Sequence, residues 1–147
     1  MHIGGASINK NTKTGNLIIS CISTTTGPGI TTEPIIRLDA STPLEEVAKQ
    51  VVYVMSCSKS NLPIPKDWTA YNKEYLKLLG VKQNSDLYKN TISIGASIKD
   101  NIITFTPMIN NGAKGFVNVP NGKIEFPANS SIKEISIALQ NAFNRCE

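Results

Sequence analysis

Histidine is nearly absent from this chain of 147 residues. The one present, His2, stands second from the start, and the three cysteines, Cys21, Cys57 and Cys146, lie far apart with no C-x-x-C pair. A structural zinc site needs four closely organised Cys or His ligands, so no metal and no other cofactor is expected. The scattered, odd-numbered thiols read as free cysteines in a reducing compartment. A nucleophile activated by histidine would have to hang its base on His2. The patterns G-x-x-x-x-G-K-[ST], G-x-G-x-x-G and G-x-S-x-G are missing too. "TTTGPG", Thr24 to Gly29, lacks the lysine and helix start of a phosphate loop and reads as a turn between strands. The paired acids Glu45 and Glu46 fall in a helix first turn, where the helix dipole accounts for them. The chain reads as not an enzyme.

Long apolar runs are lacking as well. None approaches the roughly 20 residues that span a bilayer, and the start, "MHIGGASINKNTKTG", has no basic stretch leading into an apolar one. No membrane partner is expected, and the cytoplasm is the expected compartment. Arginine is scarce, only Arg37 and Arg145, and the net charge of +4 is spread out. Residues 1–60 carry five Lys/Arg against four acids, 61–90 five against three, and 91–147 five against four. Without a basic block or arginine forks, nucleic acid is not the expected partner.

What the chain does contain is a repeated pattern. At an offset of 88, Ile36, Leu38, Leu44, Val47, Val51 and Met55 face Ile124, Phe126, Ile132, Ile135, Leu139 and Phe143, apolar against apolar. "GASI" from Gly5 returns from Gly95. Each half orders strands before a helix. Alternation predicts strands in "HIGGASIN", "NLIISCIS" and "ITTEPIIRL", the last interrupted at Pro34, and again over Thr91–Lys99, Asn101–Met108, "GFVNV" and "KIEF". Thr42, Pro43 and Glu45 read as N-cap, N1 and N3 of the first helix; Ser131 with Glu134 reads as a capping box opening the second. The expectation is one α+β domain over 1–147. Two pseudo-symmetric strand-rich halves, 1–60 and 91–147, would each end in a helix, with two antiparallel sheets facing each other and the helices flanking them, a Whirly-like arrangement.

Residues 61–90 have no counterpart in the repeat. Pro63 and Pro65 make a stiff link, Asp67 reads as an N-cap, and Trp68 to Leu79 has helical spacing stopped at Gly80. Asp86 to Lys89 reads as a further short turn. This insert holds the only tryptophan and three of the four tyrosines. Asp67 and Glu74 beside Trp68 and Tyr71 would form an aromatic anchor with a charge patch; the plainer alternative is that Trp68 and Tyr71 pin the insert to the body. Lys114 with Phe116 is the one exposed-looking combination of cation and aromatic elsewhere.

The wording of the second half is similar to a known family. Leu87 to Asn90, Thr106-Pro107, Ile124 to Phe126, Pro127 to Ser131, and then Ile135, Ala138-Leu139 and Arg145-Cys146 follow one another as in the immunity proteins of bacterial contact-dependent growth inhibition systems. "LDASTPLEEVAKQV" fits the first helix entry of that family. The chain departs after Thr106-Pro107, where "MINNGAKGFVN" replaces a more charged, His- and Trp-bearing loop. The resemblance implies a small cytosolic protein that binds and neutralises a toxin domain delivered by a neighbouring cell, the toxin being an RNase that acts on tRNA. Asp67, Trp68, Tyr71, Glu74, Lys114 and Phe116 are then the candidate toxin contacts. A single-stranded nucleic-acid binder on the Whirly-like scaffold is the second reading.

Overall fold

The computed structural model describes residues 3–83, 89–110 and 115–146. Seven strands form one antiparallel sheet: β1 (Ile3–Asn11), β2 (Leu17–Ser23), β3 (Ile30–Leu38), β4 (Thr91–Lys99), β5 (Ile102–Asn110), β6 (Phe116–Asn118) and β7 (Ile124–Pro127). The spatial order is β3-β2-β1-β4-β5-β6, with β7 also paired to β5. Three helices are described, α1 (Leu44–Ser56), α2 (Trp68–Leu79) and α3 (Ile132–Arg145). The fold is α+β, as the strand and helix patterns predict.

The two facing sheets expected from the repeat do not form. β1 pairs with β4 over nine residue pairs, from Ile3 opposite Lys99 to Asn11 opposite Thr91, and this joins both sets of strands edge to edge. The two Gly-Ala-Ser triplets lie against each other, Gly5 opposite Ser97, Ala6 opposite Ala96 and Ser7 opposite Gly95. Outward from this junction the halves match. Ile36 and Leu38 of β3 stand beside Ile19 and Leu17, as Ile124 and Phe126 of β7 stand beside Phe105 and Ile103. The β6 strand has no counterpart in the first half. Although β6 and β7 flank the Pro120–Gly122 turn, they do not pair with each other; both add to β5 at different points along its length.

Because strand side chains alternate between faces, the register sorts the sheet into one apolar face and one polar one. Ala6 and Ile8, Leu17, Ile19 and Cys21, Ile94 and Ala96, Ile103 and Phe105 point to the same side and are buried. Over them lie α1, through Val47, Ala48, Val51, Val54 and Met55, and α3, through Ile135, Leu139, Ala142 and Phe143. Side chains such as Ile8, Ile19, Ile94 and Phe105 are fully buried, each worth roughly 1.5–3 kcal/mol against exposure. With one face to cover and two helices to cover it, a second sheet has nothing left to bury.

Local sequence chemistry sets the ends. Ser131 and Glu134 form the expected capping box on α3. On α1 the expected Thr42 cap is not made: Pro43 takes the N-cap place with no side-chain bond. Instead the Asp39 carboxylate accepts from the Ser41 amide and hydroxyl at 3.0 and 2.5 Å, shaping the approach to the helix. Those bonds to the charged form hold the Asp39 carboxyl below its ordinary value. The β4–β5 turn uses Asp100 and Asn101 at φ 53 and 63, the pairing a tight hairpin demands. In β3 the ladder to β2 shifts between Ser20 and Cys21, so that Glu33 and Pro34 bulge out; proline, with no amide to donate, is tolerated on this edge strand.

The second residue after α1 stitches helix to sheet. Ser58 Oγ accepts from the Gly5 amide at 2.8 Å and lies 3.0 and 2.9 Å from the Gly5 and Ile22 carbonyls, to one of which it donates. Cys146, 88 residues further along, sits just after α3 and donates its thiol to the carbonyl of Ser93, 88 residues beyond Gly5. Removing the Ser58 hydroxyl leaves the part-buried Gly5 amide without its acceptor, a loss of about 1–3 kcal/mol. Ser58→Ala should therefore lower stability in urea unfolding by that amount, while Ser60→Ala, at an exposed position, should stay within about 0.5 kcal/mol.

Candidate functional site

Two surfaces of the sheet are left by α1 and α3. The first is the opposite face, where Gly5, Ser7 and Asn9 of β1 meet Ser93, Gly95 and Ser97 of β4 and Thr104, Thr106 and Met108 of β5. Its centre is a shallow trough of about 530 Å³ floored by small side chains. Three of its polar side chains are bound to each other: Asn9 Oδ1 accepts from Ser93 Oγ at 2.7 Å and lies 3.4 Å from Ser7 Oγ. No aromatic ring stands among these nine residues, so this part of the face offers no base-stacking platform.

The second surface is the inserted helix. α2 lies along the β3 edge, on the polar-face side: Arg37, which faces the same way as Ile18, donates to the Leu78 carbonyl. Leu76 and Leu79 are its buried side chains, and Gly80 closes it in the left-handed conformation at φ 74, with its amide turned back to the last carbonyls. Between α1 and α2, a groove of about 570 Å³ runs along β3, lined by Glu33, Ile35, Arg37, Tyr53, Cys57 and Leu78. In it a hydrogen bond with the Cys57 sulfur pushes the Tyr53 hydroxyl above its ordinary value.

The candidate residues on the insert divide by what they already do. Asp67 is the N-cap of α2, its carboxylate accepting from the Thr69 and Ala70 amides at 3.0 and 3.1 Å. Tyr71 pins the helix: its hydroxyl accepts from the Thr31 amide of β3 at 2.8 Å, and its ring stacks parallel on Tyr75 at 6.2 Å. Trp68 packs edge-on to Tyr71 at 5.5 Å yet remains 46% exposed. Glu74 is exposed. Thus the pinning role weighed from sequence holds for Tyr71, whereas Trp68 keeps a large apolar surface toward solvent. Ile64, in the segment before the helix, is 41% exposed.

One remaining candidate, Phe116, lies at the far edge of the sheet. Phe116 is half-buried in β6, opposite Asn110, and Lys114 lies outside the described residues, as do residues 86–88 of the short turn expected over 86–89. Sequence reasoning missed Ile109 and Val117, a directly opposed pair on β5 and β6 that is 40% and 42% exposed. Both β-branched residues sit in alternating strands and gave no sign that the helices would stop short of them. Cys21 and Cys146 are buried and Cys57 half-buried, all three as free thiols. Among the described residues no group of three or more His, Cys, Asp or Glu side chains is placed to hold a metal, and no helix is long and apolar enough to cross a membrane.

Residues 30–146 match the family model described as CdiI, CDI immunity protein. Two solved structures share the fold. A protein of unknown function from Neisseria meningitidis superposes with a TM-score of 0.78 at 18% identity, over 99% of this chain and 96% of that one. A chain of a CdiA-CT/CdiI toxin and immunity complex from Yersinia pseudotuberculosis superposes with a TM-score of 0.77 at 16% identity, over 100% and 99%. No curated protein matches the sequence.

The insert's internal bonds can be tested in the free protein by amide exchange. Asp67→Ala should speed exchange across the first turns of α2 by the equivalent of about 1 kcal/mol, and Asp67→Asn, which keeps an acceptor oxygen, should change it by only a few tenths. Tyr71→Phe should expose the Thr31 amide selectively.

Proposed function

Because the chain belongs to the CdiI family of CDI immunity proteins, we propose that it protects its own cell by binding the toxin domain of a contact-dependent growth inhibition system and holding it inactive in the cytoplasm. The observation that carries this reading is the family match across 30–146, which takes in every described element from β3 onward. It acts by occupancy rather than chemistry: among the described residues the buried side-chain nitrogen and oxygen atoms are bonded within the fold, and the histidine-poor sequence offers no ready acid–base pair. The complex named for the Yersinia structure, a toxin with its immunity protein, is the assembly proposed for this chain. The sequence resemblance supports an RNase acting on tRNA as the toxin.

The proposed contact surface centres on the insert. Trp68 is its anchor, held in place by Tyr71, and Glu74 lies nearby; Asp67 contributes by fixing the helix that presents them. The β5–β6 region, with Phe116 and Lys114, is the second candidate contact. Aromatic residues that are rigidly held yet exposed are the side chains that most often carry binding energy.

Expression of the toxin domain encoded beside this gene should arrest growth, and co-expression of the chain should restore it. Failure of rescue together with failure to form a complex on gel filtration would contradict the immunity reading. Intact tRNA in arrested cells would remove the RNase assignment and leave immunity standing. Trp68→Ala should weaken the complex by at least about tenfold, the scale of a truncated anchor, with the melting curve of the free protein little changed.

A further inference from the structure

A small pocket lies where the β1–β2 hairpin meets the end of α2. It holds about 280 Å³ and is lined by Asn9 and Asn11 of β1, Asn16 at the entry to β2 and Lys89 just before β4, with Leu79 of α2 and Val81 beyond it as an apolar wall. No acid stands among its described lining residues. Three carboxamides and one ammonium therefore supply its polar character, together with threonine hydroxyls.

Each carboxamide oxygen already serves the fold. Asn11 Oδ1 accepts from the Lys13 and Thr14 amides at 2.9 and 3.0 Å, and Asn16 Oδ1 accepts from the Ala40 amide at 3.1 Å. Asn9 Oδ1 is taken by the Ser93 hydroxyl. A backbone amide can be met only by the oxygen of a carboxamide, so Asn11 and Asn16 have their NH2 groups left to offer. None of the three NH2 groups has a hydrogen-bond partner within the fold among the described residues. Lys89 is exposed, and its backbone is tied beside the pocket by the Thr91 hydroxyl, which donates to the Lys89 carbonyl at 2.9 Å. The lining thus has donors and a positive charge to spare, and its acceptors are spent.

An anionic acceptor meets such donors with charge-assisted bonds, roughly twice as strong as neutral ones. The apolar wall of Leu79 and Val81 favours a group with a hydrocarbon stem over a hydrated inorganic anion, and the volume admits only a small one. We propose that this pocket binds a carboxylate on a short apolar stem, held by the NH2 groups of Asn9, Asn11 and Asn16 and by the Lys89 ammonium. A free short-chain acid and a Glu or Asp side chain of the bound toxin domain present the same chemistry. Only the second of these sources rests on the immunity reading.

The test titrates the full chain with sodium butyrate at neutral pH and follows the side-chain NH2 signals of the three asparagines by NMR. They should shift together along one saturable curve of about millimolar affinity, the scale for a ligand of so few atoms. Butyramide, the neutral isostere, should bind at least about tenfold more weakly. Asn11→Asp and Asn16→Asp keep the oxygen that the backbone amides need and replace the donor by a negative acceptor. Each should weaken butyrate at least about tenfold with the backbone spectrum preserved. Absence of a saturable shift in the wild type, or equal binding of butyramide, overturns the proposal without any substitution. Aspartate variants that bind butyrate as the wild type does overturn it too. So does binding that appears only in Asp86→Ala, because the chain then fills the pocket with its own carboxylate. Added toxin domain assigns the source: displaced butyrate points to a toxin side chain, and butyrate retained in the complex points to a free acid. A chain that binds butyrate but no toxin contradicts the immunity reading alone.

Discussion

The structure depends on the pairing of β1 with β4. These strands begin 88 residues apart in the chain, yet nine consecutive residue pairs lock them together at the centre of the sheet. Such a contact must repay the entropy of closing a long loop before anything else can be gained from it. Once it forms, every other strand has an edge to join, β2 and then β3 on one side, β5 and then β6 and β7 on the other. It also brings the apolar faces of both halves into a single plane. Ala6 and Ala96, opposite each other and buried, are small at that junction, and the larger side chains of α1 and α3 complete the same core.

Much of this was legible in the sequence because the signals are local. Strand alternation located β3 and β4 to the residue, Asp67 and Gly80 bounded α2, and the Ser131–Glu134 box opened α3. The repeat predicted two comparable halves. What it did not predict was how they meet, because alternation says which side chains share a face and nothing about which strand lies next to which. Two facing sheets and one continuous sheet bury the same residues from Ile8 to Phe105. The choice is made by the long-range β1–β4 register, for which "GASI" in both strands is compatible evidence but no instruction. The same blindness affected the Pro120–Gly122 turn, whose flanking strands both went to β5, and the first helix cap, where Pro43 stands in the place expected of Thr42 and makes no side-chain bond.

The candidate site was legible in a narrower sense. Composition pointed to the insert, since it concentrates the aromatic residues outside the repeat. Composition could not tell a side chain that holds the insert from one that is offered to a partner. The structure draws that line through hydrogen bonding: Asp67 and Tyr71 are used internally, and Trp68, Glu74 and the lysines are left outward. The polar face of the central strands looks like an open platform by alternation alone, but it carries no aromatic ring at its centre, and Asn9, Ser93 and Ser7 there are bonded to one another. A scaffold fixed by a long-range strand pair, with an inserted helix anchored to one edge strand, keeps the same shape in solved structures only 16–18% identical to this chain. Recognition can then change on the insert without disturbing the β1–β4 junction.

The central claim is that recognition resides on the insert and the sheet acts as its fixed support. Amide hydrogen exchange on the chain with and without its toxin domain tests this most directly. The account predicts added protection concentrated between Leu62 and Gly80, with the amides of β1 and β4 unchanged. Protection confined to the outer surfaces of α1 and α3, with α2 exchanging as in the free protein, would contradict it.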